Sequence, residues 1–248
     1  MTTQPPPGEA PGKKEAVAAM FDDIAPRYDL LNRVLSFGID QQWRNRAIKL
    51  LEQEKPRRIL DVATGTGDLA IKALAIEPDR VVGIDISEEM LEHGRAKIRE
   101  RGLEDRITLR KGDAEKLPFS DCQFEAVVVA FGVRNFEHLE AGLREIMRVL
   151  TPGGRLVVLE FSHPHVFPIK HLYKFYSHVV LPAVGRVVSK NASAYHYLPA
   201  SVDVFPSGEQ FLSRLRDVGF VDPELIPLTF GIASLYSASR PAKRRTKR

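Results

Sequence analysis

The stretch Asp61-Val62-Ala63-Thr64-Gly65-Thr66-Gly67-Asp68 constrains this chain more than any other. Ile59–Val62 reads as a buried strand, and the two glycines turn the backbone sharply where a Cβ would crowd a ligand. A helix starting near Leu69 would then turn its free N–H groups back toward that ligand. Strand, glycine turn and helix together predict a sheet that holds an adenosine-type cofactor at the head of its first strand.

The rest of the chain continues the alternation. Strands are predicted over 80–84 (closed by Asp85), 107–110, 124–130 and 155–161. Ser87 is placed to cap the helix after the second strand, with Glu88 and Glu89 in its first turn. Leu139, Leu143, Ile146, Met147 and Leu150 form the apolar face of another helix. Upstream, Val17, Met20, Phe21 and Ile24 fall at helical spacing up to Pro26, and a second helix is expected from about Asp40 to Leu51. After the fifth strand the alternation stops. Residues 164–205 read as an aromatic, helical insertion carrying Phe167, Tyr173, Phe175, Tyr176, Tyr195 and Tyr197. It resumes with a helix over 207–218, opened by a Ser207/Gln210 capping box and stopped by Gly219. Two strands follow, about 223–229 and 233–239, joined by a turn at Gly231.

The expected fold is α/β: a Rossmann-like seven-stranded sheet with a closing antiparallel hairpin, a helical N-terminal cover and a helical insertion after strand 5. Residues 1–14 are expected to be disordered, 15–240 to form one domain with its substrate-side insertion at 164–205, and 241–248 to form a basic tail.

The net charge of +4 invites a nucleic-acid reading. Lys243, Arg244, Arg245, Lys247 and Arg248 all lie in the tail, however, and removing those five charges from +4 leaves −1. No cationic bias remains in the body, and no nucleic-acid partner is expected. Cys122 is the single cysteine, which excludes an internal disulfide and a multi-cysteine metal site. No apolar run reaches the roughly 18 residues that span a bilayer. The N-terminus has neither the basic nor the apolar block of a signal peptide, and a cytoplasmic location is expected.

Gly65-x-Gly67-x-x-Ala70, with Asp85 twenty residues past Gly65, meets the dinucleotide fingerprint, so NAD and S-adenosylmethionine (SAM) are both open on that motif alone. Three details favour SAM. Asp61 suits the ammonium of a methionine moiety and would repel a pyrophosphate. Asp113-Ala114 follows strand 3, where an acid can accept from an adenine amino group. The antiparallel closing hairpin belongs to the SAM-methyltransferase architecture. The candidate cofactor residues are Asp61, Thr64, Gly65, Thr66, Gly67, Asp85, Asp113 and Ala114. Asp61 as a turn cap and Asp113 as turn chemistry are the structural alternatives. No metal site is expected, because His163-x-His165 lacks other clustered ligands.

Four segments resemble one family. Tyr28-Asp29-Leu30-Leu31-Asn32-x-x-Leu35-Ser36-Phe37-Gly38-Ile39-Asp40-x-x-Trp43 is similar to the N-terminal signature of the ubiquinone/menaquinone biosynthesis C-methyltransferases, and Arg148-Val149-Leu150-Thr151-Pro152-Gly153-Gly154 through Ser162 to their second signature. Ala130-Phe131-Gly132-Val133-Arg134-Asn135 and the run from Tyr195 to Pro206 match as well. The resemblance covers about residues 21–240. This chain departs from it at Asp40, where His is usual, at Thr151, where Lys is usual, and at Ala130, where a Ser commonly contacts SAM. Asp at position 40 resembles the menaquinone-pathway members.

The resemblance implies methyl transfer from SAM to a ring carbon of demethylmenaquinol, with Arg134 orienting the quinol oxygen directly or through an activated water. Tyr28, with Asp29 and Asn32, is a candidate polar lid over SAM, and His163 a candidate base. Each of these has a structural alternative in capping, pairing or packing. Glu160 is expected at the cleft floor or paired with Arg155. The implied partner is a polyprenylated quinol. Apolar groups of the insertion (Phe167, Ile169, Leu172, Val179, Val180 and Leu181) would then form a greasy entrance or a peripheral contact with the inner face of the cell membrane, the alternatives being that they cover the sheet as core or build a homodimer contact. A benzoquinol substrate, and a SAM-binding RNA-associated or regulatory module, are the alternatives.

Overall fold

The computed structural model describes residues 12–164, 166–176, 179 and 193–242. His165, Val180, Leu181 and the tail from Lys243 lie outside them, as do residues 1–11 and the side chain of Tyr195.

Helices α1 (Lys13–Ile24), α2 (Tyr28–Leu35) and α3 (Ile39–Lys49) precede the sheet, with a 3-10 turn at Ala25–Arg27. There follow β1 (Arg58–Val62), α4 (Asp68–Ala73), β2 (Arg80–Asp85), α5 (Glu88–Glu100), β3 (Ile107–Lys111), β4 (Phe124–Ala130), α6 (Leu139–Val149) and β5 (Leu150–Phe161). The insertion contributes α7 (Ile169–Phe175) and α8 (Ser193–Val204), and α9 (Glu209–Val218), β6 (Val221–Leu228) and β7 (Ala233–Ser239) complete the chain.

The seven strands run in the order β3-β2-β1-β4-β5-β7-β6. β1 to β5 pair in parallel, whereas β7 is antiparallel to both β5 and β6. The final hairpin extends the sheet beyond β5 with its strands in reversed order: β7 pairs with β5, and β6 forms the edge. Side chains alternate across the central strands. Val127, Val129, Leu156 and Val158 enter one core with α6 and α9, while Ala126, Val128, Val157 and Leu159 enter the other with α3, α4 and α5. Helices on both faces explain why these strands carry apolar side chains toward both sides along their central stretches.

Several local expectations differ from the structure. α1 begins at Lys13, ahead of Glu15, and Lys13 is buried, its ammonium donating to the carbonyls of Arg134 (2.9 Å) and Phe136 (2.7 Å). α2 is a helix the apolar spacing does not announce, because it covers only eight residues and leaves Leu30 and Val34 exposed. Ser87 caps α5 as expected, its Oγ accepting from the N–H of Met90. The Ser207/Gln210 capping box does not form. Gly208 is the N-cap of α9, and its N–H donates to the Tyr236 hydroxyl at 2.8 Å. The Ser207 N–H, which the box would have given to Gln210, goes instead to the carbonyl of Phe205 at 2.8 Å, and a buried tyrosine from β7 holds the helix start through Gly208.

Candidate active site

The glycine turn leaves β1 through Ala63, which sits in the left-handed region (φ 54°), as do Gly65 (φ 56°) and Gly67 (φ 76°). Thr64 N–H donates to the carbonyl of Ile84 and Gly67 N–H to that of Thr64, so the turn is tied to β2 and to itself. Asp61 ends up buried beneath it. Oδ2 accepts from the Thr64 hydroxyl at 2.6 Å, and Oδ1 is enclosed without a hydrogen-bond partner. Burial pushes the Asp61 carboxyl up to about 7, against the opposing pull of the Thr64 hydrogen bond and the Arg44 charge.

Asp85 closes β2. Oδ2 accepts from Gly65 N–H at 2.8 Å and Oδ1 from Ser87 N–H at 3.0 Å. Burial raises its pKa, and these backbone donors oppose the rise. At the head of β4 a second tight bend brings Phe131 into the left-handed region (φ 59°). Gly132 packs so closely on the β1 turn that a Cβ there would lie 2.4 Å from the Ala63 Cβ.

A small cavity of about 70 Å³ lies between these strand ends, lined by Ala63, Gly65, Asp85, Asp113, Ala114 and Gly132 among others. Three ties from the N-terminal helices roof it. Lys14 Nζ donates to Asp113 at 2.6 Å, the Ser87 hydroxyl donates to Asp22 at 2.5 Å, and the Thr66 hydroxyl donates to Asp29 at 2.6 Å. Lys97 also pairs with Asp29 and Asp68, each at 2.6 Å.

The eight predicted cofactor positions therefore divide. Gly65, Asp85, Asp113 and Ala114 line the small cavity. Asp61 and Thr64 are buried under it as a hydrogen-bonded pair. Thr66 anchors the Asp29 tie, and Gly67 caps α4.

A second cavity of about 370 Å³ opens beside the first. It is enclosed mainly by α1, α2, α3, α7 and α8 together with Phe131 and Phe161 from the ends of β4 and β5. Its wall is chiefly apolar and aromatic, with Arg44 and Arg134 as cations. Phe21, Tyr28 and Phe131 belong to both cavities. Tyr28 stands over the glycine turn, where a Cβ on Gly65 would lie 3.9 Å from its ring, and burial raises its phenol pKa.

Arg134 lines the large cavity, its Nε donating to the Ser201 hydroxyl at 3.3 Å and Nη1 donating to Glu160 Oε1 at 2.7 Å. Glu160 thus pairs with Arg134, whereas Arg155 is engaged by Glu54 and Glu224. The Glu160–Arg155 pair, one of the two arrangements expected for Glu160, does not form: the residues lie five positions apart on β5, so their side chains leave opposite faces of the sheet. His163 is not brought to either cavity. It leaves the end of β5 half exposed, with Nε2 3.5 Å from Asp203 Oδ1. Among the described residues no group of three or more His, Cys, Asp or Glu side chains is arranged to hold a metal ion.

Sequence reasoning missed Lys14, Asp22 and Arg44. Lys14 lies 99 residues from Asp113, and Asp22 lies 65 from Ser87, so no local spacing marks either tie. Arg44 carried one faint signal: it immediately follows the Trp43 that ends the first signature segment.

Comparison with known proteins agrees with this geometry. Among solved structures, the [4+2]-cyclase SpnF has a TM-score of 0.64 at 20% identity, covering 97% of this chain and 99% of its own. A SAM-dependent methyltransferase from Thermotoga maritima, described as a possible histamine N-methyltransferase, has a TM-score of 0.62 at 19% identity, covering 90% and 99%. Likeness at that identity is likeness of fold. Sequence relatives are much nearer. The demethylmenaquinone methyltransferase of Thermus thermophilus is 50% identical over 224 residues, 90% of this chain and 100% of its own. That of Bacteroides fragilis is 47% identical over 229 residues, covering 92% and 94%. The ubiquinone/menaquinone biosynthesis C-methyltransferase UbiE of Geotalea daltonii is 48% identical over 230 residues, covering 92% and 97%. With the model of the ubiE/COQ5 methyltransferase family matching residues 10–240, this chain belongs to that family.

Proposed function

We propose that this enzyme transfers the methyl group of SAM to the ring carbon of demethylmenaquinol, giving menaquinol and S-adenosylhomocysteine. The observation that carries the reading is the meeting of two unlike cavities at Tyr28 and Phe131: a small one with carboxylates at its rim, and a larger apolar one with buried cations. The residues present fit SAM. The enclosed, unpaired Oδ1 of Asp61 suits an ammonium, and Asp85 retains lone pairs for ribose hydroxyls. Asp113 and Ala114 line the same small cavity and are assigned to the adenine.

SAM supplies an electrophilic methyl, so the protein must align the acceptor carbon and make it electron-rich. Loss of the proton from the adjacent ring hydroxyl does the latter. The ring then donates an electron pair to the methyl carbon, the C–S pair stays on sulfur, and the oxygen becomes a carbonyl. Release of the proton from the methylated carbon restores the aromatic ring. Arg134 orients that oxygen, held in place by Glu160 and Ser201. His163, outside both cavities, takes no part in this reading.

The prenyl tail of such a substrate needs an apolar exit. Phe37 and Leu172 line the large cavity and are 83% and 64% exposed, and Phe167 and Phe175 extend the apolar surface. We assign this rim to contact with a bilayer; a homodimer across the same rim is the competing arrangement. No helix among the described residues is long and apolar enough to cross a membrane.

The test is incubation with methyl-labelled SAM and, separately, reduced demethylmenaquinone or a reduced ubiquinone-pathway benzoquinone. Label in the naphthoquinol product is expected. Label in neither product overturns the reading, and label in the benzoquinol alone transfers it to the ubiquinone pathway.

A further inference from the structure

The large cavity holds a second buried cation that methyl transfer through Arg134 does not use. Arg44, on α3, is 6% exposed, and its guanidinium carbon lies 5.3 Å from the centroid of the Phe131 ring. Asp40 stands 3.5 Å from its Nε, well beyond the roughly 2.8 Å of a charge-assisted hydrogen bond. The Asp40 carboxylate is instead engaged by the Ser36 hydroxyl at 2.7 Å and the Gln41 amide at 2.8 Å. Arg44 Nε is buried without a hydrogen-bond partner.

Arg134 is the opposite case, committed to Glu160, Ser201 and the carbonyl of Phe131. The two arginines flank one aromatic pair. Phe131 and Phe161 stack with centroids 4.5 Å apart, Arg44 lying over the first ring and Arg134 5.6 Å from the centre of the second. A cation in an apolar wall with so loose a carboxylate partner is costly in the empty protein, and an acceptor oxygen on a ligand offsets that cost.

We propose that Arg44 is a substrate-binding residue that takes one ring oxygen of an aromatic 1,4-diol, as hydroxyl or oxyanion, while Arg134 serves the other. The proposal rests on the quinol reading for the identity of the diol. It goes beyond that reading in assigning two cations to two oxygens, so that a ring with a single oxygen would be held at one end only. Phe131 and Phe161 supply the surface on which the ring is steered between them.

Trp43 gives a direct readout, because it is the single tryptophan of the chain and lines this cavity. Wild type and R44Q would be titrated with 2-hydroxy-1,4-naphthoquinone, an anion at neutral pH, and with its neutral 2-methoxy ether, following Trp43 fluorescence. R44Q is expected to weaken anion binding about tenfold or more while leaving the ether within about twofold. Equal weakening of both ligands, or of neither, overturns the proposal. D40N supplies a second measurement that leaves Arg44 in place. It should tighten anion binding alone, and an unchanged anion affinity counts against the proposal. Neither ligand is turned over, so failure of the enzyme to methylate any quinol would be a separate result from failure of this assignment.

Discussion

Arg134 Nη1 and Glu160 Oε1 lie 2.7 Å apart, joining the bend after β4 to the end of β5 through a pair whose side chains are 7% and 0% exposed. Burial pushes the Glu160 carboxyl up and the Arg134 charge draws it down. Removing one member leaves the other as an uncompensated buried group. Glu160→Ala should cost about 3–5 kcal/mol of stability, and Glu160→Gln less, both read by urea unfolding. Arg134→Lys keeps the charge but loses the fork that reaches Ser201 and Glu160 together. It should fold and bind SAM within about twofold of wild type, with turnover lowered about 10- to 100-fold. Near-normal turnover would remove Arg134 from the mechanism.

Asp61 predicts a pH dependence with a definite sign. Its carboxyl is raised from 3.8 to about 7 by burial, so the folded protein holds this proton more tightly than the unfolded chain. The resulting stabilisation is complete below about pH 4 and is lost as pH rises through about 7. Asp61→Asn should therefore raise the stability of the ligand-free enzyme at pH 8 by on the order of 2–4 kcal/mol, with little effect at pH 4. Differential scanning calorimetry at the two pH values checks this.

Binding of an ammonium beside Asp61 should ionise it. Titration calorimetry of SAM at pH 6, in two buffers of different ionisation enthalpy, should show net proton release of up to about one proton. Asp61→Asn should abolish the release and weaken binding about tenfold or more. Equal heats in both buffers for the wild type would contradict the assignment of Asp61 to the ammonium.

The tie between Asp29 and Thr66 crosses 37 residues and holds α2 over the glycine turn. Asp29→Ala removes this bond and the Lys97 pair. Because the carboxylate is partly exposed, the stability loss should be at most about 1 kcal/mol. The KM for SAM should rise about three- to tenfold, with kcat less affected. An unchanged KM would make α2 a cover without a role in holding the cofactor.

Phe37 and Leu172 test the bilayer assignment. Phe37→Asp with Leu172→Asp should abolish flotation with anionic phospholipid vesicles while leaving SAM affinity unchanged, since both side chains stand at the outer rim. Retained flotation would reject the rim as the contact. A halved mass by light scattering without vesicles would assign it to a second copy of the chain.

Much of this architecture is legible in local sequence. The strand at Ile59–Val62, the turn at Gly65 and Gly67 and the cap at Ser87 each depend on residues within a few positions of one another. The resemblance in Tyr28–Trp43 marked α2 as important without revealing it as a helix, since only Leu31 and Leu35 join a core cluster while Leu30 and Val34 stay exposed, which blurs the helical period. The Ser207/Gln210 box looked sound locally, yet the Tyr236 hydroxyl satisfies the Gly208 N–H from another strand.

What the sequence by itself determined was the periodic part: the βα order, the two-faced apolar strands, the acidic residues at strand ends and the closing hairpin. Backbone periodicity and turn chemistry are short-range, so spacing alone carries them wherever no distant group competes for the same backbone donors, as one does at Gly208. Only the tertiary structure decided that β7 pairs with β5 and leaves β6 at the edge, that Glu160 belongs to Arg134 and not to Arg155, and that His163 faces away. It alone set Lys14 against Asp113 and Arg44 over Phe131. Charged and polar groups choose partners by proximity in a low-dielectric interior, and that proximity exists only once the strands are ordered and the helices close over their ends.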